Sequence, residues 1–342
     1  MARPTIRDLA AAANVSVATV NRVLGGSQHV KSATMQRVRE AAAEIGFYGL
    51  GAIESRVAAA RTRYKFGFIL QQSSRAFYRH LAEVLRDATE RVADAQVEVR
   101  IEFIDDLSPQ NIANSMLELA RTSDAIGVVA AVHPIVMQAI ETLEAQDIPV
   151  FALISQLAST GRVHFVGCDG WKTGRTAAWV FHHVCREQGK LGILVGNPRY
   201  RCQEMNESGF RSYFREHANN FSLLEPLLTF ESAAVAQEMT ERLLRDNPDL
   251  RGLYVAGGGI SGAVAALRST GMAGKIALVG HDIFDVTREA LLDGTMTVTI
   301  AHPLPRLADT VLAGMMSAVD NRAEVGNYTT VLPFDLYTRE NL

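Results

Sequence analysis

The sequence predicts an α/β protein: an N-terminal all-α head joined to a two-lobed body built on parallel sheets. Three observations predict it. Residues 5–46 read as three short helices separated by turn signals. From Tyr64 on, short apolar runs alternate with amphipathic stretches. Charge also divides between the parts. Residues 1–63 hold nine Lys/Arg and four acids, a balance of +5, and the whole chain is −3, so the remainder carries −8. A small basic head on an acidic body is the pattern of a protein whose head alone meets a polyanion.

Composition removes several classes. With 342 residues, 48% hydrophobic and 21% charged, the chain can fill two or three domains without staples. Cys168, Cys185 and Cys202 form no C-x-x-C pair, and an odd count argues against a disulfide framework, so a reducing cytoplasm fits. The N-terminus lacks an apolar stretch behind a basic start, so no signal peptide is expected. No apolar run of about 18 residues predicts a membrane span.

The head is read in order. Thr5 caps a first helix, with Asp8 three residues on and Ile6, Leu9 and Ala10 sharing a face. "NVS" breaks the pattern. Ser16 caps a second helix in which Val20 and Val23/Leu24 face inward, and Gly25 or Gly26 takes the left-handed position after it. Ser32 caps a third helix with Met35, Val38, Ala42 and Ile45 at helical spacing, closed by Gly46.

Two short helices joined by a turn and followed by a third make a helix-turn-helix. In that geometry the N-terminal residues of the second helix enter the major groove. They are Val17, Ala18 and Thr19, with Arg22 one turn on. Val17 and Ala18 are placed to meet thymine methyls, and Arg22 to read guanine or hold a phosphate. Burial of Val17 and Ala18 is the plainer reading, but Val20 and Val23 already supply the core face. Thr5, Ser16, Thr19, Asn21, His29, Lys31, Ser32 and Thr34 are polar groups near helix starts that suit backbone contacts.

These residues carry a resemblance. "TIRDLAAAANVSVATVNRVLGG" and "VKSATMQRVREAAAEIGF" resemble the DNA-binding head of the lactose-repressor (LacI) family, with Asn21 where that family has serine. The resemblance implies a head over residues 1–48 and a hinge over 49–63 that becomes helical on DNA and wedges an apolar side chain into the minor groove. The family's leucine is missing here. Ile53 and Val57 are the apolar candidates, with Arg56 and Arg61 for phosphates. A plain flexible linker is the other reading.

In the body, residues 64–342, "KFGFILQ", "VEVRIEFI", "AIGVVAA", "IPVFALI", "VHFVGC", "KLGILVG", "FSLLEPLLTF", "RGLYVAG" and "KIALVGH" read as buried strands. There are too many for one small sheet. Two lobes account for them: about 64–162 with 292–325, and 163–291 with the C-terminal segment. "TMTVTIAH" is read as crossing back into the first lobe. This arrangement resembles the periplasmic sugar-binding fold that LacI-family regulators use as a sensor.

Ligands of such sheets sit at strand C-terminal ends, which places a small polar molecule between the lobes. The loop after the first strand offers Gln72, Ser73 and Ser74 for hydrogen bonds. Phe77 and Tyr78 follow it, one expected to stack on a sugar ring and the other to be core. His133 follows a strand end and is either a ligand contact or structural. The family's sugar-gripping arginine falls at Asn206, with Arg201 or Glu204 to compensate, and its asparagine–aspartate pair falls at the glycines that begin with Gly257. Asp282 keeps the family's aspartate, and His302 falls where relatives place a polar contact.

Other chemistry is disfavoured. No GKS or GKT follows Gly257–Gly259, and no G-x-G-x-x-G follows the first strand. His182, His183 and Cys185 point around a helix and do not make a metal set. No Ser/His/Asp set has catalytic spacing, so no enzyme activity, cofactor or metal is expected. The resemblance implies a transcriptional regulator, a repressor by the commoner mode. It would read a palindromic operator in double-stranded DNA as a homodimer and answer a carbohydrate-like or polyol effector, without a membrane partner. No leucine heptad tail argues for a dimer over a tetramer. The alternative from another class is a solute-binding protein for carbohydrate uptake.

Overall fold

The structure, a computed structural model, describes residues 3–25, 30–59, 61–157, 162–217, 221–321 and 328–342. The chain divides into two compact units, Met1–Tyr64 with Thr89–Glu98, and Lys65–Ala88 with Val99–Leu342.

Among its described residues the head holds four helices, α1 (Ile6–Ala12), α2 (Val17–Leu24), α3 (Ser32–Glu44) and α4 (Leu50–Ala59). Thr5 and Asp8 close a full capping box on α1. Ser16 caps α2 by accepting from the Thr19 amide at 3.1 Å. Asn14 makes the turn between them at φ 51°, a left-handed position that asparagine tolerates. Gly25 ends α2 in ordinary right-handed geometry at φ −79°, not the left-handed one expected; Gly26 lies outside the described residues. Lys31, not Ser32, is the N-cap of α3, and it makes no side-chain cap bond. Gly46 takes the left-handed turn after α3 at φ 65°. Leu9, Val20, Val23, Met35, Val38 and Ala42 form the core between the helices.

The stretch read as a hinge or free linker is α4, and it packs on α2 and α3. Ile53 is fully buried and Val57 nearly so, both in the head's core. The expectation that they stand out as wedges is corrected. Each is worth roughly 2 kcal/mol where it lies, so the helix forms by docking its apolar stripe, which a free alanine-rich helix of this length lacks.

The body begins with β1 (Thr62–Gln71), α5 (Ala76–Arg91), β2 (Ala95–Ile104), α6 (Pro109–Ala120), β3 (Ala125–Val128), α7 (Pro134–Glu144), β4 (Val150–Leu153) and β5 (Val163–Cys168). There follow α8 (Gly170–Val184), β6 (Gly189–Val195), α9 (Arg201–His217), β7 (Phe221–Leu223), β8 (Leu227–Leu228), α10 (Ala233–Asp246), β9 (Leu250–Val255), α11 (Ile260–Ser269), β10 (Ala277–His281), α12 (Asp285–Leu292) and β11 (Val298–Ala301). The chain ends with α13 (Leu304–Asp320), β12 (Thr329–Leu332) and β13 (Asp335–Tyr337).

One sheet has the order β12-β5-β4-β3-β1-β2 and the other β13-β11-β10-β9-β6-β7, with β8 beside β6. The chain therefore crosses between sheets after β5, after β11 and between β12 and β13. Two boundaries differ from the sequence reading. "VHFVGC" belongs to the first sheet, in register with β4 through Val150↔Val163. "TMTVTIAH" stays in the second, paired parallel with β10 through Val279↔Val298. The buried parallel strands of both sheets are short apolar runs, so nothing local addresses a strand to one or the other. "VEVRIEFI" is a half-exposed edge strand rather than a buried one, and "FSLLEPLLTF" makes two short strands.

Both faces of the second sheet are covered. Phe181, Phe210, Phe214 and Tyr254 fill one side, and Leu243, Leu253, Leu267 and Leu278 the other. Helices α8 and α9 approach closely enough that a Cβ on Gly174 would lie 1.9 Å from the Asn206 carbonyl oxygen. Among the described residues no helix is long and apolar enough to cross a membrane.

Candidate functional site

Two surfaces qualify. On the head, Val17, Ala18, Asn21 and Arg22 are exposed while Val20 and Val23 on the same helix are buried. Val17 is 40% exposed, a large apolar side chain left in water at a helix start. Thr19 is half-buried, and its hydroxyl shares a 2.9 Å hydrogen bond with Ser16. The Arg22 Nε donates a long 3.4 Å bond to the Ala18 carbonyl. Arg3, Thr5, Arg7, Val17, Asn21 and Tyr48 line a shallow groove. Lys31 and Arg56 are exposed and Thr34 is half-buried. His29 lies outside the described residues. This surface can present small apolar groups, hydrogen-bond donors and cations together.

The second surface is a cavity of about 680 Å³ between the two lobes of the body, within the range of small-molecule sites. All three sheet-crossing segments reach it, through Cys168, His302 and Phe334. Gln72, Phe77, Tyr78, Asn206, Gly257, Asp282 and His302 line it. Phe77 is half-buried and available to a ligand; Tyr78 is buried, its ring edge-on to Phe77 at 5.0 Å.

Asp282 sits in the left-handed region, at φ 63°. One of its oxygens, Oδ1, accepts from both the backbone N–H and the Nδ1 of His302, each at 2.9 Å. Burial pushes the carboxyl up, but the His302 charge and these hydrogen bonds outweigh it, and its pKa falls below the ordinary range. Burial likewise opposes the His302 cation, yet Asp282 raises its pKa. The two form an ion pair that fixes Asp282 and, among the described residues, leaves its Oδ2 without a hydrogen bond. The His302 ring also lies 5.9 Å from that of Phe77.

Asn206 is a brace rather than an exposed donor. Its Nδ2 donates to the Ala256 carbonyl at 3.1 Å and contacts His281 Nε2 at 3.4 Å. His281 Nε2 also shares a 3.0 Å hydrogen bond with the Tyr254 hydroxyl. Burial lowers the His281 pKa to about 4, so this ring is neutral.

Four expected ligand contacts lie elsewhere. His133 caps α7, accepting from the Ile135 amide at 3.3 Å, because a histidine before proline is well placed for an N-cap. Arg201 and Glu204 pair with each other at 3.1 Å, both about half exposed, outside the cavity. Ser73 is exposed and its carbonyl accepts from Arg79. The sequence reading also missed other side chains that line the cavity: Gln71, Arg75, Tyr200, Gln203 and Glu231. Arg75 stands inside the quoted loop "QQSSRAFYRH" and was legible as a cation there; Glu231 had no local signal. His182 bonds Tyr213 at 2.9 Å and His183 the Trp179 carbonyl at 2.8 Å, and no cluster among the described residues could hold a metal.

Known proteins match both the head and the body. The profile of the bacterial regulatory proteins of the lacI family matches residues 5–49. That of the periplasmic binding protein domain matches residues 66–323. The ribose operon repressor of Bacillus subtilis (strain 168) is 24% identical over 315 residues, 87% of this chain and 86% of that one. Catabolite control protein A of Staphylococcus xylosus is 39% identical over 83 residues, 24% of this chain and 25% of that one. Among solved structures, an ABC transporter periplasmic solute binding protein from Actinobacillus succinogenes 130z with bound D-allose has a TM-score of 0.73 at 18% identity, covering 81% of this chain and 98% of that one. With a DNA-binding helical head and a periplasmic-binding-protein body in one chain, the protein belongs to the lacI family of bacterial regulatory proteins and is a regulator rather than an enzyme.

Proposed function

We propose that this regulator is a cytoplasmic repressor. It binds a near-palindromic operator as a homodimer, with the head of residues 1–48 reading DNA, and a small sugar or polyol in the interlobe cleft controls it. The joint of residues 49–63 carries the change from body to head. An effector that favours one lobe arrangement shifts operator affinity by its differential affinity for the two arrangements. The observation that supports this most is the solvent-facing Val17, Ala18, Asn21 and Arg22 on a helix whose other face is fully buried. The name of the Bacillus subtilis relative and the D-allose in the solved structure favour a monosaccharide-sized effector. The cavity of about 680 Å³ has room for one.

The test is a mobility-shift titration of the full chain on DNA from its own promoter region, at several fixed salt concentrations, with and without a panel of sugars, polyols and sugar acids. The expected result is sequence-specific retardation that weakens with salt, two protein chains per operator, and release by one class of the panel. Retardation no stronger on that DNA than on random DNA would overturn the regulator reading.

A further inference from the structure

The cleft holds a second ion pair, and it joins the lobes. Arg75 belongs to the first lobe, between β1 and α5, and Glu231 to the second, between β8 and α10. Arg75 Nη1 lies 2.9 Å from Glu231 Oε2, with the two side chains 25% and 7% exposed. Several features seat this carboxylate. A Cβ on Gly196 would come within 2.0 Å of it, and one on Gly258 within 1.9 Å. Gln203 Nε2 donates to Glu231 Oε1 at 2.6 Å. The Gln203 Oε1 is held in turn by the Gly196 and Asn197 amides at 2.9 and 3.0 Å, and a Cβ on Gly257 would strike this side chain. Phe230 and Glu231 both adopt positive φ, 52° and 62°, a strained pair without glycine that turns the side chain inward.

The first lobe answers in kind. Arg75 also donates to Gln71 Oε1 at 3.3 Å, and Gln71 Nε2 donates across the cleft to the Tyr200 hydroxyl at 2.5 Å. The glycines that replace the expected asparagine–aspartate pair thus vacate space for Gln203 and Glu231.

We propose that Arg75 and Glu231 form a clasp that holds the cleft shut and sets it for uncharged, hydroxyl-rich effectors over those bearing a carboxylate or phosphate. The charges around the cavity cancel: Arg75, Arg79 and His302 against Glu231, Asp282 and Asp285. Arg79 is already bonded to the Ser73 and Ser74 carbonyls, and His302 to Asp282. An anionic ligand would have to take Arg75 from Glu231 and leave that carboxylate buried without its cation, which is strongly unfavourable. A neutral polyol meets no such obstacle and can use Asp282, Gln72 and the Phe77 face.

The charge preference rests on the effector reading above; the clasp does not, so two measurements on the full chain separate them. The first is hydrogen–deuterium exchange without ligand. Arg75→Ala and Glu231→Gln should speed exchange in residues 196–203 and 227–233, while Arg75→Lys keeps most of the protection. Unchanged protection in both variants overturns the clasp. The second is calorimetry with neutral aldoses and polyols against their aldonic acids. Glu231→Gln frees the arginine and should raise the acid-to-neutral affinity ratio about tenfold, a modest charge effect, whereas Arg75→Ala should lower it. A ratio that moves in neither variant overturns the charge preference. If no ligand of the panel binds the unaltered protein, the effector class is wrong and the charge preference falls with it, while the exchange data still decide the clasp.

Discussion

On the head, Val17, Ala18, Asn21 and Arg22 stand in solvent with almost no partners among the described residues. In the cleft, Asp282, His302, Arg75 and Glu231 are mostly buried and bonded to one another. The difference follows from what each surface is built to meet. A DNA groove brings its own charge, water and shape, so a reading helix needs only to stay free and rigidly mounted. A small uncharged ligand brings little binding energy, so its site must already hold its dipoles in place. The head therefore invests in the helix behind its contacts, and the cleft in the contacts themselves. Damage to the head should be worst in its scaffold, and damage to the cleft worst at its contacts.

The largest effect tests the head's scaffold. Ile53→Ala removes a fully buried side chain from the head's core and should cost about 2–5 kcal/mol of head stability. Denaturant unfolding followed by circular dichroism checks it, with effector binding unchanged. If Ile53 serves DNA alone, stability will not move and only operator affinity will fall.

Next comes a cleft contact. Asp282→Ala strands His302 and removes the free acceptor, so effector affinity should fall by about 2–3 kcal/mol. Operator binding without effector should persist, and the response to effector should vanish. Calorimetry and a mobility shift read the two halves; a normal response would move the effector site elsewhere.

These two predictions also mark what the sequence made legible. The head's helices follow from capping and period: Thr5 and Ser16 read directly as caps, and Val20 and Val23 as the core face of α2. The α4 docking did not, because a glycine- and alanine-rich stretch has weak amphipathicity and Ile53 looks the same whether it faces a core or a groove. In the body, alternating strands and helices announced the parallel sheets, but the sheet to which β5 and β11 belong depends on long-range pairing. The cleft was legible where a single loop or strand end carries it, as at Gln72, Phe77 and Asp282. Glu231 escaped because three glycines and a glutamine far apart in sequence make its seat. Arg201 and Glu204 were misplaced because one face of α9 points away from the cavity.

A smaller effect sharpens the head's side. Arg22→Ala should weaken specific operator binding by about 1–3 kcal/mol without changing stability, since its side chain is exposed. A salt titration separates its two possible roles. A phosphate contact would lower the salt slope by about one and weaken all sequences alike, while a guanine contact would relax specificity at one base pair.

The smallest effect belongs to the cleft and follows from its buried ion pair. His302 has its pKa raised from 6.5 against the pull of burial, by Asp282. Its contribution is complete below pH 6.5 and drains away as pH rises through the raised value. Asp282, lowered from 3.8, contributes above that pH and is lost only in acid. The pair therefore stabilises the body most between those limits and weakens toward alkaline pH. His281, its pKa lowered to about 4 by burial, does not titrate between pH 6 and 9. Melting of the full chain from pH 6 to 9, compared with His302→Gln, isolates the pair because other groups titrate in both proteins. The difference in Tm should shrink with rising pH, by on the order of 1–3 °C. A difference that stays flat would mean that His302 is held as a neutral ring and that Asp282 is placed by the Nδ1 hydrogen bond without a charge. The cleft's contacts would then be positioned by geometry alone, as the head's are, and the contrast between the two surfaces would rest on Arg75 and Glu231.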